Sequence, residues 1–181
     1  MDLDSLMTRQ QIIKRVTREL GNAYANKFAR EDSREVYFDS VHKIVHLFPD
    51  ANQALVPNRV ACCIGGRTVF TTPEQCQLLG TPGPCDEHPP KPDLNIGQRY
   101  LRLAAYLIGD AYADKLESTA LQKPDQLEKV YNDSIQKVGE LFKDANKGLD
   151  GSLIECRSPH GPSVPGLTEQ QCKQIGGDII Q

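Results

Sequence analysis

Apolar positions recur with helical spacing in four stretches of this chain, and between them the spacing disappears. Ile12, Ile13, Val16, Leu20, Ala23, Tyr24 and Phe28 share one face, and Thr8 with Gln11 fits a capping box, which predicts a first helix over about 9–29. Asp32 with Glu35 offers a second box before Tyr37, Val41, Ile44, Val45 and Phe48, so a second helix is expected over 34–48, ended or kinked by Pro49. A third stripe, Tyr100, Leu103, Ala104, Leu107, Ile108 and Ala111, follows Asn95 and Gln98 and predicts a helix over 96–116. Pro124 suits a first helical position before Leu127, Val130, Tyr131, Ile135, Val138, Leu141 and Phe142. With Lys143 in place of the proline, the fourth helix is expected to run straight over 125–147, with Gly148 as its C-cap.

The stripes belong to a tandem repeat. Leu20 to Lys27 matches Ile108 to Lys115 at an offset of 88, and Val36 to Cys62 matches Val130 to Cys156 at an offset of 94. The difference of six residues is an insertion in the second copy around Ser118 to Pro124, where a loop tolerates added length at small entropic cost. One unit used twice divides the chain into a first copy, 1–93, and a second, 94–181. A lone helical hairpin has an uncovered apolar stripe, so two hairpins should cover each other. The fold expected is all-α: two tandem helical-hairpin repeats in a pseudo-twofold four-helix bundle, each hairpin followed by a disulfide-stapled Gly/Pro-rich loop.

Those following stretches differ in kind. Residues 57–93 hold seven of the twelve prolines, and His88-Pro89-Pro90-Lys91-Pro92 reads as a stiff spacer between copies. A short strand is expected at Arg67 to Thr71 and a short helix from Thr72, with Leu167 to Ile175 repeating that turn.

Six cysteines sit in these stretches, and an even number points to disulfides. A bridge common to both copies joins Cys62 to Cys76 and Cys156 to Cys172, which leaves Cys63 for Cys85; the exchange of partners, Cys62 with Cys85 and Cys63 with Cys76, is the alternative. The run CCIGGRTVFTTPEQCQLLGTPGPC, about residues 62–85, resembles a cysteine-rich module of diverse bacterial proteins, with a leading CC, a TTxxxC and a Gly-rich run to a last cysteine. Residues 156–177 resemble it more weakly, and Thr68 stands near where the module usually has a further cysteine. The resemblance implies a stapled loop and no activity.

Two further chemistries compete for the same residues. Cys62, Cys63, Cys76, Cys85 and His88, with Cys156, His160 and Cys172 in the second copy, could hold zinc, although no CxxC knuckle is present. The vicinal pair Cys62-Cys63 is the candidate for thiol-redox work. His42 and His46 have the four-residue spacing of a metal pair, but their direction from the apolar stripe reads as solvated surface. Lys27 and Lys115 lie in line with apolar residues, and a ligand-binding role is weighed there against stems that snorkel to the ends of their own helices. Tyr24, Tyr37, Tyr112 and Tyr131 recur at matching places and are expected in the core.

Charge narrows the partners. With 21 Lys and Arg against 24 Asp and Glu, interspersed in sign, the chain is not expected to bind nucleic acid. No apolar run approaches the roughly eighteen residues of a membrane span. No secretory signal is visible at the start, while the cysteines favour an oxidising or extracellular setting. Phosphate loops, the GxSxG elbow, HExxH and ExxH are all missing from the sequence. The expectation is a structural or protein-binding module without catalytic activity or cofactor, meeting a protein partner or itself.

Overall fold

The computed structural model describes residues 2–53, 59–85, 89–149 and 151–180. The long helix α1 (Leu3–Glu31) is followed by α2 (Arg34–Val45) and a single turn, α3 (Phe48–Ala51). Strands β1 (Val60–Ile64) and β2 (Arg67–Thr71), helix α4 (Pro73–Leu79) and the two-residue β3 (Thr81–Pro82) complete the first copy. The second repeats the order: α5 (Leu94–Gln122), a 3-10 turn at Pro124–Gln126, α6 (Leu127–Gly139), α7 (Phe142–Ala145), β4 (Ile154–Arg157), β5 (Ser163–Leu167), α8 (Glu169–Gln174) and β6 (Asp178–Ile180).

The all-α expectation is corrected by the sheets. Each copy ends in a three-stranded antiparallel sheet, ordered β2-β1-β3 and β5-β4-β6, so the fold is mixed α/β with a helical majority. These strands have five residues at most, and β2, β3 and β5 carry Gly, Pro, Ser or Thr, which conceals them from a test of apolar alternation. What forms them is backbone pairing across a tight turn. Gly65 and Gly66, with φ of +58° and +81°, reverse the chain between β1 and β2 at no Cβ cost. The strand anticipated at Arg67 to Thr71 is the second of three, and Thr72 and Thr168 cap α4 and α8 through boxes with Gln75 and Gln171.

Three helical expectations also need correction. The fourth helix does not run straight to Lys147: it breaks after Gly139, as α2 breaks after Val45, and in both copies a separate turn resumes at the equivalent Phe48 and Phe142. The break therefore does not need Pro49. Second, the insertion near Ser118 is not a loop, since α5 continues to Gln122 and then passes into the 3-10 turn. Third, α1 is capped by Asp2 and α2 by Ser33, not by Thr8 and Asp32, while α5 starts after Asp93. Gln98, expected in a capping box with Asn95, donates instead to the Ala25 carbonyl.

At the centre α1 and α5 run antiparallel, and small residues let their backbones approach. A Cβ on Gly21 would lie 2.7 Å from that of Ala105, and one on Gly109 would collide with Thr17 Oγ1. Thr17 and Gly21 occupy the repeat positions of Ala105 and Gly109. The two close contacts are thus the same contact seen from either copy, which is what an approximate twofold produces. One apolar core follows, with Ile13, Leu20, Tyr24 and Phe28 from the first copy meeting Leu101, Ile108, Tyr112 and Leu116 from the second.

Candidate functional site

The tripeptide Asp-Ala-Asn, identical at 50–52 and 144–146, organises most of the buried polar chemistry. Asp144 in α7 accepts a hydrogen bond from the Tyr24 hydroxyl at 2.9 Å, pairs with Lys43 at 2.8 Å and has Lys27 Nζ at 3.5 Å. Asp50 in α3 accepts from Tyr112 at 2.8 Å, pairs with Lys137 at 2.6 Å and has Lys115 Nζ at 3.4 Å. Lys27 and Lys115 also donate to the backbone carbonyls of Asp144 and Asp50, at 3.1 and 3.0 Å. Each aspartate of one copy is therefore held by a tyrosine and two lysines of the other. Burial opposes the charge on Asp50, but Lys137, the Tyr112 hydroxyl and Lys115 outweigh it and hold the carboxyl below its ordinary value. Asp144 is lowered in the same way, with Lys43, Tyr24 and Lys27 overcoming burial. Burial, then the facing carboxylate, pushes the Tyr24 and Tyr112 hydroxyls well above the usual phenol range.

Lys27 and Lys115 thus do not snorkel to the ends of their own helices. Lys27 is 7% exposed and reaches across the pseudo-twofold, because Asp144 presents both a carboxylate and a carbonyl there. Sequence reasoning marked the lysines and passed over the aspartates, although their identity in both copies was the available signal.

The asparagines of the same tripeptides bind the strand modules to the helices. Asn52 and Gln75 exchange two amide hydrogen bonds at 2.7 and 3.1 Å, and Asn146 and Gln171 exchange two at 2.7 and 3.0 Å. Gln75 and Gln171 also close the capping boxes, so one side chain serves both a helix start and a module contact.

The sulfurs form three bridges: Cys62 to Cys76, Cys63 to Cys85 and Cys156 to Cys172. These are the pairs that alignment of the copies puts together. No free cysteine occurs among the described residues, so Cys62 and Cys63 carry no thiol. His88 lies outside the described residues, and His160 is exposed in the turn before β5. No group of three or more His, Cys, Asp or Glu side chains placed to hold a metal occurs among the described residues.

His42 departs from expectation. It is 8% exposed, not solvated, because the β1–β2 turn folds over it and its Nε2 lies 2.8 Å from the Gly65 carbonyl oxygen. Burial first, then the neighbouring Arg67 and His46 side chains, lower its pKa against the pull of the Gly65 carbonyl. His46 is exposed as expected, and so is Glu140 at its repeat position; Tyr37 and Tyr131 are buried.

Two of the surface depressions among the described residues exceed about 400 Å³. A groove of about 420 Å³ lies between α2 and α6, bordered by Lys43 and Lys137, His46 and Glu140, and Leu47 and Leu141. Each pair comes from equivalent repeat positions, which puts the groove on the pseudo-twofold. A cleft of about 540 Å³ separates α1 from α8 and is lined chiefly by side-chain amides. No helix among the described residues is long and apolar enough to cross a membrane. Compared with protein-family models, curated proteins and solved structures, the chain matches none of them.

Proposed function

We propose that the chain is a structural or protein-binding module, a cross-braced scaffold that meets a protein partner or further copies of itself. The observation that carries this reading is the pair of reciprocal aspartate hubs: the polar side chains that converge from both copies are engaged in holding the copies together. Groups spent in this way supply rigidity more readily than turnover. The bridges act in the same sense, fastening each sheet to its short helix or to the chain leaving it.

A scaffold needs a face to offer. The start of α1 and the end of α5 lie at one end of the antiparallel pair, where Leu3, Met7 and Leu121 are exposed, Leu121 by 81%. Scattered apolar residues are ordinary on a surface, but these three gather where the inserted residues of the second copy lengthen α5. Sedimentation velocity over a concentration series, repeated with Leu121→Glu and Met7→Glu, tests the self-association form. Larger species that disappear in the charged variants are expected. A single monomer boundary at every concentration removes that form, and stoichiometric zinc in the purified protein would replace the whole reading by a metal-binding one.

A further inference from the structure

We propose that the cleft between α1 and α8 is a binding site for a neutral polyhydroxylated ligand, a carbohydrate. Its volume of about 540 Å³ falls in the range of roughly 300–1,000 Å³ usual for small-ligand clefts. Such clefts are mostly apolar, whereas the apolar contribution here is limited to Ala23 and Leu149. The latch residues Asn146, Thr168 and Gln171 form part of the wall, but their polar atoms are engaged with one another. Asn26, Gln170, Gln174 and the carboxylate of Glu19 also face the cleft and make no side-chain hydrogen bond among the described residues. Asn22 uses its oxygen to accept from Arg102 and keeps its amide hydrogens free.

The mixture of groups selects the ligand. An anion would have to lie beside Glu19, and a cation beside Arg30 and Arg102, which border the same cleft. Free amides offer donors and acceptors together, and a hydroxyl is the neutral group that answers both. A peptide would bring side chains that need apolar pockets, and two small apolar contacts do not supply them. The free amides are confined to this side of the pseudo-twofold. At the equivalent positions across it, on α5 and α4, Asn22, Asn26, Gln170 and Gln174 become Asp110, Asp114, Glu74 and Leu78, while the latch residues Asn52, Thr72 and Gln75 are kept. The latch is thus common to both copies and the set of free amides is not.

The full chain should be applied to an array of neutral, sialylated and sulfated glycans and, in parallel, to a library of unmodified peptides, with positives measured by titration calorimetry. Binding to neutral glycans is expected. It should weaken by about tenfold in Asn26→Ala and in Gln174→Ala, the loss of one or two hydrogen bonds each, and stay unchanged in Asp114→Ala, the repeat equivalent of Asn26 on α5. Asn26 and Gln174 are exposed, so both variants should fold, which amide NMR spectra verify. Binding confined to sialylated or sulfated glycans, binding of peptides alone, no binding at all, or neutral-glycan binding indifferent to both substitutions would each overturn the proposal.

Discussion

Asp50 and Asp144 show how much one side chain can carry when its partners lie in the other half of the molecule. Asp144→Ala would leave the Tyr24 hydroxyl with only the long contact to the Leu141 carbonyl, at 3.5 Å, and the buried Lys27 ammonium with a carbonyl alone. We expect a loss of about 2 kcal/mol, below the full cost of orphaning a buried charge because Lys43 and Asp144 are partly open to water. Chemical denaturation checks it, and a loss below about 0.5 kcal/mol would reduce the hub to a surface pair. Acid should act through the same groups. Both carboxyls are depressed in the fold, so their contribution is complete above the ordinary carboxyl pKa of about 3.9 and fades as pH falls through the lower folded values. The double variant Asp50→Ala/Asp144→Ala should therefore lose less further stability than wild type between about pH 4 and 2.

His42 works in the opposite chemical sense with the same direction in pH. Its folded pKa is lowered, so the unfolded chain takes up the proton first, and the stability conferred by neutral His42 is lost as pH falls below about 6.5. Arg67 and His46 disfavour its charge, and the other charged groups beside it are Arg34, Glu35, Asp39 and Lys43 on its own helix and Lys137 and Glu140 across the groove. Protection factors of the Gly65 to Arg67 amides, taken against the intrinsic exchange rate at each pH, should fall below about pH 6 and lose that acid dependence in His42→Gln, the residue found at the same position of the second copy. Protection factors that do not change with pH in wild type would remove the role given to this contact.

Among the elements, the paired breaks between α2 and α3 and between α6 and α7 are explained by what the resumed turns present. Each turn points its aspartate at the other copy and its asparagine at its own strand module, a division that a straight helix could not make. The three bridges differ in access. Cys62, Cys76, Cys156 and Cys172 are buried, while Cys63 and Cys85 are half-buried at the edge of the first sheet. Exchange requires a thiolate to reach sulfur. Under graded dithiothreitol, alkylation mapping should find Cys63 and Cys85 labelled before the other four; simultaneous labelling of all six would mean that the modules open only by global unfolding. This order could not be read from the sequence, where all six cysteines sit in similar Gly- and Pro-rich surroundings.

For the whole molecule, the α1–α5 contact sets how closely the copies approach. Gly21→Ala and Gly109→Ala would gain up to about 1 kcal/mol of helix propensity each. Overpacking at the crossing, at about 1–3 kcal/mol, should exceed that gain, and both variants should melt at lower temperature than wild type. A rise in melting temperature for either would show that the helices separate cheaply.

The periodicity of 3.6 residues located the four main helices, and self-similarity revealed two copies and the register that puts the cysteines into pairs. Both signals are local or internal to the chain, so the sequence alone could carry them. It also placed Tyr37 and Tyr131 inside and His46 outside, because direction on a helix follows from spacing. The sheets were a different matter, since their short strands are formed by backbone pairing and cross-links instead of apolar alternation. His42 was buried by a hairpin 23 residues away, a distance that no helical wheel contains. The aspartate hubs join residues 101 to 120 positions apart on one side and 62 to 87 on the other. Only the antiparallel packing of α1 on α5 brings those groups within reach, and with them the cleft between α1 and α8.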